Sequence, residues 1–328
     1  MKVISIKKIA ELAGVSSATV SRVLNNSGRF SEETRHRVME VVEQLDYRTN
    51  IVAKSLRTNK SQSIGVAVPD ITNEFFSHIV LAIENYCFPR DYSVLICNTN
   101  ESEEKEKTYM RSLLSKGVDG VIYLASGTNI DRTFANHLPI VCIDRPSGQD
   151  NIVVVESDNR YGGFLATEAL IKKDCKRIII LRDQRKLLPM VSRYQGYYDA
   201  LKKYGIQIDE SLVIDIPVHV EAARQAVNRL IYNHVRFDGV FATTDWLAVG
   251  ALTALKQNHV LVPEQVKLVG FDNISAAEYS SPGITSINQH KQELGERAAK
   301  ILLNIINHEP VVEKRIVLPV ELVRRGTV

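Results

Sequence analysis

Polar side chains, most of them carboxylates, follow five apolar runs of this sequence, where buried strands would end. They are Asp70, Asn98, Asp144, Asp245 and Asp272. Because ligands of open α/β sheets sit beyond the carboxyl ends of parallel strands, we expect these side chains to gather at one site. A carboxylate accepts several hydrogen bonds, so the pattern predicts a site for a small ligand that carries many hydroxyl donors.

One arginine and a few aromatic residues could complete this site. Arg193, which we expect to open a helix, offers a planar fork of donors to ring and hydroxyl oxygens. Trp246, the only tryptophan, follows Asp245, and Phe75 and Phe76 follow the first apolar run. Aromatic faces can pack on sugar rings, although aromatic residues at helix starts more often belong to a core.

No motif for catalysis or metal binding is present. The sequence has no G-x-x-x-x-G-K-[ST] loop, no G-x-G-x-x-G after the first apolar run and no G-x-S-x-G elbow. Its eight histidines lack metal-ligand spacing, and its four cysteines fall in or beside apolar runs, as reduced thiols of a cytosolic protein would. There is no signal-peptide core and no apolar run of about 18 residues. We therefore expect a cytoplasmic, nucleoid-associated protein without enzymatic activity, cofactor, metal or membrane partner.

The first 60 residues are basic and predict three short helices. They hold eleven Lys and Arg residues against six Asp and Glu residues, although the whole chain carries a net charge of only +3. Apolar residues recur at helical spacing, Gly14 can end the first helix, and Ser16 and Ser31 can cap the next two. Two short helices joined by a glycine turn, with a third beneath them, match the helix-turn-helix architecture. A protein-docking module is the alternative.

The exposed face of the second helix predicts contacts to the DNA major groove. Arg22 is the strongest base reader, because its fork matches guanine O6 and N7. Short polar side chains would contact phosphates and set the position of the helix. The predicted DNA contacts in this segment are Ser16, Ser17, Ala18, Thr19, Ser21, Arg22 and Asn25.

The motifs AGVSxxTVSRVLN, SxxTRxRV and NxxAxxL together resemble the start of the LacI/GalR family of bacterial transcription regulators. The resemblance implies a hinge helix that folds on DNA and places a leucine wedge in the minor groove. Asn50, Ala53 and Leu56 match that hinge pattern, whereas a plain solvated linker is the alternative. The head would span residues 1–49, the hinge and linker 50–61 and the body 62–328.

The body alternates apolar runs with amphipathic helical stretches, which predicts doubly wound parallel sheets. Body segments such as TTDWLAVGAL and VPEQVKLVGFDNI continue the family resemblance. It implies a two-lobed, periplasmic-binding-protein-like α/β fold with three chain crossings. Lobe one would cover about 62–157 and 287–318, and lobe two about 158–286 and 319–328.

The resemblance also implies ligand contacts at Phe75, Asp144, Arg193, Asp245 and Asp272, to which the aromatic argument adds Trp246. Purine-responsive members carry an arginine and a threonine where this chain has Leu187 and Pro189. We therefore expect a sugar, or a sugar phosphate met by the basic cluster of Arg177, Arg182, Arg185 and Lys186.

The resulting hypothesis is a homodimeric repressor of a carbohydrate-utilisation operon. Each head would read half of a pseudo-palindromic operator, and sugar binding would move the lobes and release the DNA. The alternative is a corepressor-type or activator member, in which the ligand tightens DNA binding. We expect the dimer contacts at about 75–89 and 291–307, and a dimer in preference to a tetramer.

Overall fold

The computed structural model describes residues 5–24, 27–47, 60–124, 132–144 and 152–328. The chain divides into two compact units, Met1–Ser61 and Gln62–Val328. The predicted hinge helix, with Asn50, Ala53 and Leu56, lies outside the described residues, as does Asn25.

The described residues of the small unit form three helices: α1 (Ile6–Ala13), α2 (Ser17–Leu24) and α3 (Glu32–Gln44). Ser5 and Ser31 cap α1 and α3 by accepting hydrogen bonds from main-chain N–H groups, and Gly14 ends α1 at φ 65°. The three helices share a core of small and β-branched side chains. It consists of Ile9, Ala10, Ala13, Val20, Val23, Val38 and Val41. The head therefore folds as the helical spacing predicts.

The large unit contains two six-stranded sheets, one in each lobe. The strands of lobe one are β1 (Ser63–Val68), β2 (Ser93–Asn98), β3 (Gly120–Tyr123), β4 (Ile140–Ile143), β5 (Val153–Ser157) and, late in the chain, β11 (Arg315–Leu318). Those of lobe two are β6 (Ile178–Asp183), β7 (Val213–Ile216), β8 (Gly239–Ala242), β9 (Lys267–Phe271), β10 (Thr285–Asn288) and β12 (Glu321–Val323).

Helices pack on the faces of both sheets. Those of lobe one are α4 (Glu74–Cys87), α5 (Glu103–Ser115), α6 (Arg132–Ala135) and, late in the chain, α12 (Lys291–Ile306). Those of lobe two are α7 (Asn159–Ile171), α8 (Leu188–Lys203), α9 (Val220–Tyr232), α10 (Asp245–Gln257) and α11 (Ser275–Tyr279). Within the described residues, no helix has the length and apolar character needed to cross a membrane.

The first sheet runs in the order β11-β5-β4-β3-β1-β2 and the second in the order β12-β10-β9-β8-β6-β7. All described pairings are parallel except that of β10 with β12. The chain crosses between the lobes after β5, after β10 and after β11. Because β10 belongs to the second sheet as far as Asn288, lobe one resumes after that residue and not at the expected 287.

The prediction that Arg193 opens a helix needs correction. Helix α8 begins earlier, at Leu188, because Pro189 fits the first turn of a helix, where no N–H partner is required. Arg193 therefore lies in the second turn of α8. Strands β7 and β10 do not stand out as apolar runs in the sequence, and the end of the chain forms two short strands, β11 and β12.

Candidate ligand cleft and nucleic-acid-facing helix

A cavity of about 560 Å³ opens between the two lobes of the large unit, at the carboxyl ends of their strands. Asp70, Leu124 and Asp144 follow strands of lobe one and line one wall. Thr244 and Asp272 follow strands of lobe two and line the opposite wall. A volume of this order suits a small polar ligand.

The structure brings four of the six predicted ligand contacts together. Phe75, Asp144, Arg193 and Asp272 all line the cavity, and so do Leu187 and Pro189, which stand where purine-responsive relatives are polar. Asp245 and Trp246 are absent from its walls. Sequence reasoning missed Gln184, Asn100, Glu101 and His219, which lie on loops at the rim, whereas Arg185, also on the wall, was considered only as part of the basic cluster. The only sequence signal of the missed residues is their position one to three residues beyond a strand end.

Arg193 is held rigidly from three sides. Its Nε donates to Asn159 Oδ1 at 2.8 Å, and its Nη1 donates to the Thr243 carbonyl at 2.6 Å and to Asp272 Oδ1 at 3.4 Å. The guanidinium carbon lies 3.6 Å from the centre of the Phe271 ring. Burial lowers the pKa of Arg193, and the neighbouring carboxylates oppose that shift. Only Nη2 has no hydrogen-bond partner among the described residues, so it is the donor left for a ligand.

Asp272 is positioned by the segment in which the chain returns to lobe one. Its side chain accepts a hydrogen bond from Gln289 Nε2 at 2.6 Å, and its main-chain oxygen accepts one from Lys291 Nζ at 2.7 Å. Its φ of 106° is unusual for a residue other than glycine, and such strained backbone often occurs at ligand sites. Burial raises the pKa of Asp272 to about 6, so the carboxylate is still charged at neutral pH.

The structure does not place Asp245 on the cavity wall, because its side chain turns back under the Asp272 loop. Its Oδ2 accepts from Ile274 N at 2.9 Å, and its Oδ1 accepts from Ser286 Oγ at 2.7 Å. Ser286 Oγ also accepts from Asn273 N at 3.0 Å. Burial, together with the charge of Asp272, raises the pKa of Asp245 to about 8. Asp245 therefore positions the loop that carries Asp272.

Trp246 is likewise not among the residues that line the cavity. Trp246 is partly buried and joins the apolar cluster of lobe one, next to Ile274 of lobe two.

Three arginines of the basic cluster that could have met a phosphate are already paired with carboxylates. Arg177 Nη2 lies 3.0 Å from Asp209 Oδ2, and Arg182 pairs with Asp215. Arg185 pairs with Asp183 of its own lobe and with Glu101 of the opposite lobe. Among the described residues, no group of three His, Cys, Asp or Glu side chains could hold a metal ion.

Helix α2 of the small unit presents most of its predicted DNA contacts to solvent. Ser16, Ser17, Ala18 and Arg22 are exposed, and Thr19 and Ser21 are partly exposed. Ser16 Oγ accepts from Thr19 N at 3.1 Å and thereby caps α2. No acidic partner holds Arg22 within the described residues, so its guanidinium is available to a base edge.

Comparison with known proteins covers nearly the whole chain. Residues 5–50 match the model for bacterial regulatory proteins of the lacI family, and residues 167–328 match a periplasmic binding protein-like domain. The regulator RegA of Clostridium saccharobutylicum is 35% identical over 325 residues, 98% of each chain. The ribose operon repressor of Halalkalibacterium halodurans is 33% identical over 98% of this chain and 96% of its own. The repressor PurR of Vibrio atlanticus is 33% identical over 99% of this chain and 98% of its own.

Two solved structures share the same architecture. The lac repressor dimer, bound to operator and the anti-inducer ONPF, has a TM-score of 0.88 and 25% identity over 99% of both chains. The regulator CelR in complex with cellobiose has a TM-score of 0.75 and 28% identity, over 99% of this chain and 100% of that one. The helix-turn-helix head and two-lobed body are therefore shared with regulators of transcription.

Proposed function

The chain belongs to the lacI family of bacterial transcription regulators, and from that membership and its cleft we infer that it represses a carbohydrate-utilisation operon. It is a DNA-binding regulator and not an enzyme. We propose that a sugar or sugar phosphate binds the cleft and releases the protein from its operator in the cytoplasm.

One arrangement carries this proposal: Arg193 and Asp272 meet at the floor of the cavity, with Asp144 and Phe75 also on its walls. Such a set offers a fork of donors, carboxylate acceptors and an apolar ring face, which together suit a polyhydroxylated ring. Leu187 and Pro189 add apolar wall and no group that could read a base edge, which argues against a purine. A ribose operon repressor and a cellobiose complex among the relatives favour the same ligand class.

We propose that the operator is a pseudo-palindrome read by a homodimer, each head presenting Arg22 to a half-site. Lobe one carries exposed apolar side chains on α4, on the turn after it and on β2. They are Leu81, 55% exposed, Phe88, 72% exposed, and Ile96, 51% exposed. A second copy of the chain would cover this surface, since apolar surface of this kind commonly marks an interface.

The experiment that tests this function is fluorescence anisotropy of a labelled duplex taken from upstream of the protein's own gene. Increasing protein concentration should give salt-dependent, saturable binding, and one member of a sugar panel should reverse it. Binding that tightens with a ligand would establish the corepressor-type alternative. Specific binding that no sugar or sugar phosphate alters, when a different metabolite does, would contradict the carbohydrate effector.

A further inference from the structure

The charged side chains around the cleft are strongly unbalanced. Among the described residues, five carboxylates line it, those of Asp70, Glu101, Asp144, Asp183 and Asp272, against two guanidiniums, those of Arg185 and Arg193. A cleft with low-dielectric walls and one dominant sign of charge focuses its field on the ligand. A negative ligand therefore meets repulsion before it makes any specific contact.

Both guanidiniums are already paired with carboxylates. Arg193 is bonded to Asp272, and Arg185 Nε lies 2.9 Å from Asp183 Oδ2 while its Nη1 reaches Glu101 across the cleft. Burial would lower the pKa of Arg185, but these two carboxylates outweigh that effect and raise it. A phosphate that drew Arg185 away from Asp183, whose side chain is 1% exposed, would leave that carboxylate without its guanidinium partner. Separating a buried pair in this way is strongly unfavourable.

Helix α8, one of the helices that start at the cleft, is also a poor phosphate cradle. Helix α8 begins at Leu188, and Pro189 in its first turn has no N–H to donate. Leu187 at its N-cap makes no side-chain capping bond, and both Leu187 and Pro189 present apolar surface to the cavity. This helix start therefore offers fewer main-chain N–H groups to an anion than a helix start usually does.

We propose that this cleft selects an uncharged sugar and rejects its phosphorylated form. The inference rests on the carbohydrate effector proposed above and narrows it to one class. Hydroxyl donors of a neutral sugar match the carboxylate acceptors, whereas a phosphate dianion would place further negative charge among them.

Isothermal titration of the full-length chain with sugars and their phosphates, taken in pairs, tests this directly. Ribose with ribose 5-phosphate, fructose with fructose 6-phosphate and glucose with glucose 6-phosphate cover the common skeletons. For the skeleton that binds, we expect the phosphorylated form to bind at least about tenfold more weakly. Equal or tighter binding of the phosphate would overturn the inference and leave a carbohydrate effector standing. A panel in which no pair binds would contradict the carbohydrate effector itself.

Two charge-removing variants test whether the carboxylates at the rim of the cleft set this preference. Glu101→Gln removes one rim carboxylate and releases a guanidinium N–H of Arg185. It should therefore reduce the ratio of the affinities for the uncharged and the phosphorylated sugar about threefold or more. Glu103→Gln makes the same change of charge on the exposed first turn of α5, away from the cleft, and should leave the preference unchanged. Identical preferences in the two variants would show that rim charge does not set the selection.

Discussion

A β-carbon on Gly163 would lie closer than 3.0 Å to the main-chain oxygen of Arg193. The same holds for Gly196 and the main-chain oxygen of Arg160, so α7 and α8 touch backbone to backbone at this point. This close approach sets the depth at which Arg193 enters the cleft, because Asn159, its Nε partner, is the first residue of α7.

Gly163→Ala is therefore expected to push the two helices apart. Overpacking of this kind should lower the free energy of unfolding by about 1–3 kcal/mol and weaken ligand binding by displacing Arg193. Urea unfolding and ligand titration check both effects. Gln195→Ala, at an exposed position beside Gly196, should change neither. An unaltered ligand affinity in Gly163→Ala would show that the helix contact does not position Arg193.

Asp245 should make stability fall as pH rises. Its pKa is raised to about 8 in the folded chain, against an ordinary value near 4 when unfolded, so the folded state binds the extra proton between these values. The stabilising proton is fully present at low pH and is lost as pH rises toward 8. Asp245→Asn removes this pH dependence. The free energy of unfolding of the variant, relative to that of wild type, should therefore rise by up to about 1.4 kcal/mol per pH unit.

Urea unfolding of wild type and Asp245→Asn between pH 5 and 8 measures that difference in the free energy of unfolding. Asp199→Asn, which changes a surface carboxylate paired with Arg160, serves as the control and should show no such slope. A constant difference between Asp245→Asn and wild type across this range would mean that Asp245 is ionised in the fold.

Arg22→Ala should remove sequence preference while leaving non-specific DNA binding. Loss of a bidentate base contact weakens operator binding by about 1–3 kcal/mol, whereas phosphate contacts keep their salt dependence. Anisotropy with operator and scrambled duplexes, over a range of salt concentrations, measures both. Arg37→Ala, on the exposed face of α3, is the matched control. Retained discrimination by Arg22→Ala would contradict the assignment of α2 as the reading helix.

Leu81→Asp should weaken the homodimer. A carboxylate on this exposed apolar position of α4 would have to be buried without a partner in the proposed interface. Analytical ultracentrifugation should show more monomer at micromolar concentration, with operator affinity falling in parallel. Tyr232→Asp, at an 83% exposed position of lobe two, should leave the assembly intact. A dimer unaffected by Leu81→Asp would place the interface elsewhere.

The rule that ligands sit beyond strand ends explains why much of the cleft was predictable from sequence. It identified the neighbourhood of Asp144 and Asp272, because the carboxyl ends of parallel strands lie at the same edge of a sheet. It could not show that Asp245 points back under a loop, since side-chain direction depends on Ile274 and Ser286, which lie far along the chain.

The missed strands have equally local causes. Strand β10 reads TSIN, with polar residues that resemble a loop until Ser286 is seen to bond Asp245 and Thr285 N to bond the Thr327 hydroxyl. Strand β7 is a four-residue edge strand without a buried side chain, so it lacks the apolar run by which the other strands were recognised. The helices, by contrast, repeat their apolar spacing over many residues, which makes them easier to predict from the sequence.

The most direct test of the central claim is operator release measured side by side in wild type and Asp272→Asn. Asp272→Asn keeps the shape of the side chain but removes the charge that partners Arg193, so operator affinity should stay within about twofold of wild type. The sugar that releases wild type should need at least about tenfold higher concentration to release the variant. Release at the same sugar concentration in both would contradict an effector site in this cleft.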